Sequence, residues 1–171
     1  MLKETLVARF FRVLSFILVI FAIFWAYFGF PETVAVHHQN NKAIGFLPKN
    51  SLFYYLTGLV LLNNLLLNIF AGVFQKLPNS SLKFPNASAW LQNRLELNQR
   101  ITNWTKITQG LFNTFLALVV YALAMVNLTE TKKTIDNYQW MLAIGGFVLL
   151  VILFWLPVRV LFGKPQGLDK Y

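Results

Sequence analysis

Four stretches of the chain carry no Asp, Glu, Lys or Arg, and their lengths constrain what the chain can fold into. They contain 19, 26, 23 and 22 residues and run over 13–31, 50–75, 107–129 and 137–158. A helix needs about 20 mainly apolar residues to cross a hydrocarbon layer about 30 Å thick. The sequence therefore predicts four transmembrane helices in a single membrane domain, over about 10–30, 51–75, 105–127 and 138–162. An outer loop over 31–50 and an inner connector over 76–104 join them.

The composition argues against a soluble helical bundle. Hydrophobic residues make up 57% of the chain and charged residues 12%, whereas a soluble domain is about 45–50% apolar and about 25% charged. A soluble bundle would also need a polar face on each helix, and segments such as FILVIFAIFWAYF and LLVILFWL have none. The first stretch is too long for the apolar region of a signal peptide. We therefore expect an all-α membrane protein.

The distribution of basic residues predicts the orientation of the helices. The formal net charge is +9. The N-terminus, the connector and the C-terminal end together carry 11 Lys and Arg, and the other two loops carry 4. Because short loops rich in Lys and Arg stay in the cytoplasm, both termini and the connector are expected inside and the loop 31–50 outside. The positive charge then favours anionic lipid headgroups as partners, and no nucleic acid is expected.

The connector is expected to contain an amphipathic helix that starts near Ser88, its N-cap, and leads into the third span. Apolar side chains recur there at helical spacing, namely Trp90, Leu97, Ile101 and Trp104. Such a helix lies either against headgroups and the inner end of the bundle or against a docking partner. The pattern favours the first arrangement over the second.

Amide side chains form a polar stripe on each of two predicted spans. The stripes contain Thr57, Asn64, Asn68 and Gln75, with Asn63 beside them, in the second span and Thr105, Gln109 and Asn113 in the third. At about 1.5 Å per residue, Asn68 and Asn113 fall at similar depth. Amides in lipid need hydrogen-bond partners, each bond contributing about 0.6–2 kcal/mol. We expect the stripes to face each other, or a partner, in the cytoplasmic half.

The residues that could carry chemistry are few. His37 and His38 are adjacent, so on an extended segment they point to opposite sides and do not chelate one metal. The chain has no cysteine, and no catalytic triad, carboxylate pair or glycine-rich phosphate loop is present. A transport pathway usually contains an ionisable residue within the spans, and none lies centrally here. No enzymatic activity, metal or cofactor is expected, although histidine is suited to sensing pH.

The outer loop carries a recurring order of residues: Pro, then His, then a Gly-aromatic pair and Lys before the second span. The matching positions are Pro31, Val34, His37, Asn40, Gly45, Phe46, Lys49 and Phe53, followed by Phe84–Pro85, Asn93, Arg94 and Arg100. This order resembles a family of bacterial integral-membrane proteins of unknown function, whose module also forms the N-terminal part of sporulation-delay toxin immunity proteins. The resemblance covers about residues 15–125. It implies a bacterial inner-membrane protein with a structured outer loop and no established enzymatic activity.

The chain also departs from this family pattern. Val36 stands where a small residue or Pro usually precedes the His, His38 stands in place of an aromatic residue, and the usual Pro-Asp step before Gly45 is missing. These departures weaken the support that the resemblance gives to a ligand-binding role of the loop.

The sequence favours a non-enzymatic accessory or assembly subunit of a larger complex, with the lipid bilayer and other membrane-protein subunits as partners. An immunity or sensing protein that binds a peptide or small ligand at the outer loop is the alternative, and a small transporter is a third. The candidate residues of the loop are Pro31, His37, His38, Asn40, Gly45 and Lys49. The candidate residues of the helix contact are Asn64, Asn68, Gln109 and Asn113.

Overall fold

Four long helices dominate the computed structural model, which describes residues 2–39, 42–128 and 135–165. They are α1 (Leu2–Gly29), α2 (Lys49–Lys76), α4 (Arg94–Leu128) and α5 (Gln139–Phe162), with a short helix α3 (Ala87–Gln92) before α4. Each of the four is long and apolar enough to cross a membrane. The prediction of a mostly helical protein with four candidate spans is confirmed.

Helix α4 is the centre of the bundle, because α1, α2, α3 and α5 all pack against it. Both α1 and α2 pack more extensively on α4 than on each other. The main apolar core lies between these three helices and includes Val19, Ile23, Leu56, Val60, Leu116 and Val120. Helix α5 lies at the periphery, with Leu156 as its buried residue among the positions described. Most of the α5 surface therefore faces lipid or a partner.

Close packing of α1 on α4 depends on small residues. A Cβ atom added at Gly110 would lie 2.6 Å from two ring carbons of Phe11 and 3.3 Å from the Ser15 hydroxyl oxygen. On α1, Ala8, Ser15 and Ala26 are buried. Lipid tails are as apolar as the side chains, so helices in a bilayer associate through such close packing rather than through hydrophobicity. Gly110 is therefore a required position in the α1–α4 contact.

Replacing Gly110 with Ala is expected to destabilise the bundle, because the new methyl group overlaps the Phe11 ring or displaces it. Overpacking of this kind costs about 1–3 kcal/mol, which thermal unfolding in detergent micelles would detect. Gly72→Ala is the matched control, since a Cβ there meets nothing within 4 Å and Ala is the better helix former by about 1 kcal/mol. Equal stability of the two variants would contradict this role of Gly110.

Part of the outer loop forms a β-hairpin, which the all-α prediction missed. Strand β1 (Thr33–Gln39) pairs antiparallel with β2 (Lys42–Pro48). A signal for it is present in the sequence: TVAVHHQ and KAIGFLP are short runs containing β-branched residues, separated by two residues. Those two, Asn40 and Asn41, lie outside the described residues. The register pairs Ala35 with Phe46 and His37 with Gly45, with irregularities on both sides of His37.

The connector differs from the prediction at its start. Ser88 is not the N-cap of a helix, because α3 begins at Ala87, preceded by Asn86 in the left-handed conformation with φ of 60°. Asn is among the residues that adopt this conformation most readily. The helical pattern breaks at Asn93, and α4 then runs without interruption from Arg94 into the third span. The expected continuity with the third span therefore holds for α4 but not for α3.

The bundle has two distinct ends. At the connector end, the start of α1 meets the first turns of α4, with Gln99 Nε2 donating a hydrogen bond to Thr5 Oγ1 at 3.2 Å. The C-terminal ends of α2 and α5 lie at this end too. The opposite end carries the hairpin and is called the hairpin end. Short 3-10 turns at Asn79–Ser81 and Ile135–Tyr138 precede α3 and α5.

Candidate functional site

The polar stripes of α2 and α4 face each other in the structure and join through their amides. Asn113 Oδ1 accepts hydrogen bonds from Asn64 Nδ2 at 3.0 Å and from Asn63 Nδ2 at 3.3 Å. Gln109 Nε2 donates to the backbone carbonyl of Asn64 at 3.0 Å. We call Asn63, Asn64, Gln109 and Asn113 the amide cluster. It joins α2 to α4 within one chain and leaves these amides engaged with each other.

The amide cluster retains unused hydrogen-bonding capacity. Gln109 and Asn113 are both 0% exposed. Gln109 Oε1 and Asn113 Nδ2 have no hydrogen-bond partner in the part of the chain that the structure describes. A buried polar group without a partner costs about 1–3 kcal/mol. Amides do not titrate, so the cluster offers fixed dipoles and no acid or base.

Replacing Asn113 with Leu is expected to weaken the contact between α2 and α4, because Asn63 and Asn64 lose their shared acceptor. Each such bond contributes about 0.6–2 kcal/mol, so unfolding titrated with a denaturing detergent should need less denaturant. Asn79→Leu is the matched control, since Asn79 is exposed in the connector and lies outside the cluster. Equal losses in the two variants would show that the amide cluster is not a stabilising contact.

Two further members of the stripes, Asn68 and Gln75, bond separately and nearer the connector end. Asn68 Oδ1 accepts a hydrogen bond from Arg12 Nη1 of α1 at 3.3 Å. Gln75 Nε2 donates to Thr102 Oγ1 at 2.7 Å. Asn68, expected on the same helix contact as Asn64, therefore contacts α1, and sequence analysis gave no role to Arg12.

The hairpin is attached to the bundle by Asn127 in the last turn of α4. The Ala35 N–H donates to Asn127 Oδ1 at 2.8 Å, and Asn127 Nδ2 donates to the Ala35 carbonyl at 3.1 Å. The same Nδ2 donates to the Leu123 carbonyl of its own helix at 2.9 Å. The amide thus pairs with both backbone groups of Ala35, as a neighbouring strand would. Val34 and Ala35 are buried beneath this contact.

A second set of contacts closes the base of the hairpin. The Lys49 N–H donates to the Glu32 carbonyl at 3.0 Å, and Lys49 Nζ lies 2.8 Å from Glu32 Oε1. Lys49 Nζ also lies 5.7 Å from the centre of the Tyr27 ring. Pro31, just before this ion pair, is exposed. Exposed ion pairs contribute little stability, so Lys49 mainly fixes the geometry where the hairpin enters α2.

The two histidines occupy different environments on β1. His37 is exposed, and His38 is half-buried with its Nδ1 buried and without a hydrogen-bond partner among the described residues. A Cβ added at Gly45 would lie 2.9 Å from His37 Cβ, so Gly45 allows the strands to approach. In the described ranges, no group of three His, Cys, Asp or Glu could hold a metal ion. Asn40, the remaining candidate of the loop, lies outside those ranges.

The second strand presents an unpaired edge. Because the N–H and C=O of Ala35 point away from β2 towards Asn127, antiparallel geometry turns the same groups of its partner Phe46 away from β1. The sheet contains two strands in the described part of the chain, so no third strand there pairs with these groups. Ile44 and Phe46 are 51% and 57% exposed. We call the outer side of β2, with Ile44 and Phe46, the hairpin edge; such edges pair with extended segments of other chains.

At the connector end, two side chains cap the last turn of α5. The final carbonyls of a helix have no partner within it. Trp90 Nε1 donates to the Val160 carbonyl at 3.0 Å, and Asn86 Nδ2 donates to the Leu161 carbonyl at 3.1 Å. Helix α3 is thereby fixed to the end of α5.

Arg94 caps the C-terminal end of α2 in a similar way. Its Nη2 donates to the Phe74 carbonyl at 2.8 Å and to the Leu77 carbonyl at 3.2 Å. The guanidinium also lies 5.2 Å from the centre of the Phe74 ring. A cation at a helix C-terminus is favourable because it meets the negative end of the helix dipole. We call Asn86, Trp90 and Arg94 the connector clamp, since they tie α3 and α4 to the ends of α5 and α2.

The apolar face of the connector packs against α5. A buried cluster there contains Trp90, Leu97, Ile101, Trp104 and Leu156. Trp104 Nε1 donates to the Ile152 carbonyl at 2.7 Å, close to the point where Pro157 interrupts the hydrogen bonds of α5. Packing against the bundle itself, one of the arrangements expected for this helix, is therefore present in the structure.

A cavity of about 650 Å³ opens between α1, α4 and α5 towards the connector end. Its walls include Phe11, Trp104, Ile107 and Trp155, with Arg100 and Asn103 among the polar residues. Arg100 Nε is bonded to Glu96 Oε1 at 2.7 Å. The volume falls within the range of small-molecule pockets, and the largely apolar lining suits an acyl chain or a partner side chain.

No known protein family matches the chain, and neither a curated protein nor a solved structure matches it. Function is therefore inferred from the contacts of the chain itself. The amide cluster and the connector clamp are engaged in holding the bundle together. The hairpin edge is fixed in place and exposed, so it is the feature best suited to act on another molecule.

Proposed function

We propose that the protein is a non-enzymatic accessory or assembly subunit of a larger membrane complex, and that the hairpin edge is its contact surface. The observation that carries this proposal is the fixed attachment of an exposed edge. Asn127 holds one side of the hairpin through both backbone groups of Ala35. On the other side, Phe46 combines an exposed ring with outward-facing backbone groups.

The surface suits an extended segment of a partner protein. Backbone hydrogen bonds to an open strand supply affinity, and apolar side chains beside the edge supply selectivity. Attachment to α4 reduces the ordering that binding would require, and pre-ordered surfaces bind with less entropic cost. A short strand added to seven residues of β2 is a small interface, so we expect contacts between spans to add to it.

The proposal includes an orientation of the helices in the membrane. The excess of Lys and Arg at both termini and in the connector supports a cytoplasmic location for the connector end. The hairpin edge then lies on the outer side of a bacterial inner membrane. A fusion of a reporter that is active only in the cytoplasm to the C-terminus should be active, and an inactive fusion would reverse the orientation.

The proposal is tested by gentle detergent extraction from native membranes, followed by native gels and mass spectrometry of co-migrating chains. We expect stoichiometric co-migration with other subunits, and loss of those subunits in Ile44→Ser/Phe46→Ser. Phe162→Ser is the matched control, because Phe162 is 80% exposed and lies at the connector end. Migration of the wild-type protein alone would overturn the proposal.

The same edge favours a second candidate function, in an immunity or sensing protein that captures a peptide outside the membrane. The unpaired backbone groups of Phe46 are equally suited to a free peptide. This function predicts that the wild-type protein migrates alone and binds a toxin peptide saturably. It also predicts that changes within 45–49 abolish protection while the protein still inserts.

A further inference from the structure

Three basic side chains from two helices converge near the connector end. Lys106 of α4 lies one turn before Gly110, which packs against the Phe11 ring of α1, next to Arg12 in the sequence. At this level of the bundle, both Arg9 and Arg12 act on Lys106 electrostatically. Arg12 is also held by Asn68 of α2 through the 3.3 Å hydrogen bond. The ion pairs of the described side chains are Lys49–Glu32 and Arg100–Glu96, and neither involves these three cations. We call Arg9, Arg12 and Lys106 the basic cluster.

The depth of the basic cluster follows from the charge-free stretches. Arg12 is the last charged residue before the 19 residues of Val13–Pro31, and Lys106 is the last before the 23 residues of Ile107–Thr129. Stretches of this length fill the hydrocarbon layer. Both side chains therefore lie at the boundary between hydrocarbon and headgroups, where the phosphates of lipids are found.

The uncompensated positive charge of the basic cluster favours the binding of an anion. Lys106 is half-buried, and like charges repel more strongly where water is partly excluded. Asn68 offers Arg12 a neutral acceptor only, so the positive charge of the cluster is not neutralised by the described side chains. A phosphate accepts hydrogen bonds from a guanidinium in bidentate fashion and from an ammonium as a point charge.

We propose that the basic cluster binds the phosphate of an anionic phospholipid in the leaflet at the connector end. A lipid delivers its phosphate at the depth of Arg12 and Lys106, whereas a soluble phosphate would have to leave water to reach them. A zwitterionic lipid carries a cation beside its phosphate, which the cluster repels. The site is therefore selective for phosphatidylglycerol over phosphatidylcholine.

Native mass spectrometry of the full chain, titrated with the two lipids carrying identical acyl chains, tests the proposal. The wild-type protein should retain phosphatidylglycerol preferentially. Arg9→Gln/Lys106→Gln should weaken that retention by roughly tenfold or more, given the contribution of each basic residue near an anionic surface. Lys76→Gln/Lys83→Gln removes the same charge from exposed connector positions and should leave retention unchanged.

Three results would overturn the proposal. They are equal retention of both lipids by the wild-type protein, equal losses in the two double variants, and displacement of phosphatidylglycerol by millimolar inorganic phosphate, which would identify a soluble anion as the ligand. Arg9 is exposed, so Arg9→Gln alone does not disturb packing and serves if the double variant misfolds. It should weaken retention several-fold, and unchanged retention would count against the site.

Discussion

Trp90→Ala is expected to release the connector from the bundle. Trp90 is 0% exposed and donates to the Val160 carbonyl at 3.0 Å. Trp90 lies outside the charge-free stretches. In the connector the solvent is therefore water, and the burial of apolar surface is a strong driving force. Removing a buried Trp side chain costs about 3–5 kcal/mol. Hydrogen exchange should therefore accelerate over 87–101 and in the last turn of α5, and the unfolding midpoint in micelles should fall.

Two further variants separate packing from hydrogen bonding at this position. Trp90→Phe keeps a ring but removes the donor, so it should cost less, about 1–3 kcal/mol for the carbonyl left without its partner. Trp140→Ala is the matched control, because Trp140 is 68% exposed. Trp90→Ala and Trp140→Ala with equal stability would show that the connector does not depend on this side chain.

Asn127→Asp is expected to detach the hairpin while leaving the helices intact. The carboxylate has nearly the shape of the amide and still accepts from the Ala35 N–H, but it cannot donate to the Ala35 and Leu123 carbonyls. It instead places charged oxygens beside both carbonyls. The loss of these bonds costs about 1–3 kcal/mol. Hydrogen exchange over 33–48 should accelerate, with little change in the helices.

Asn79→Asp provides the matched control for this experiment, because Asn79 is exposed in the connector. Unchanged exchange over 33–48 in Asn127→Asp would refute the attachment by Asn127. Asn127→Asp also tests the proposed function without changing any residue of the hairpin edge. A detached hairpin keeps Ile44 and Phe46 but loses its fixed position, so co-migrating subunits should be lost in part.

The four candidate membrane-spanning helices could be predicted because the bilayer imposes a simple requirement on the sequence. About 20 residues without charge are needed for each span, and the chain has four such stretches. Helical periodicity likewise predicted the shared apolar face of Leu97 and Ile101, which are both buried. These predictions depend only on local composition and spacing.

The contacts that fix the hairpin end and the connector end could not be predicted, because they join distant parts of the chain. Asn127 bonds to a residue 92 positions earlier, and Arg94 bonds to a carbonyl 20 positions earlier. An Asn or Arg at a membrane boundary has many available partners, and only the packed bundle selects one. The hairpin was missed for a different reason, since its alternation is short and interrupted at His37 and His38.

The central place of α4 has a consequence for how the chain assembles during synthesis. Helices α1 and α2 enter the membrane first, yet each packs mainly on α4. Until α4 arrives, Asn63 and Asn64 lack their acceptor on Asn113, and exposed amides in lipid seek other partners. The hairpin likewise lacks its attachment until Asn127 of α4 is in place. The half-inserted chain is therefore the state most exposed to wrong association, and the rate at which α4 inserts sets how long it persists.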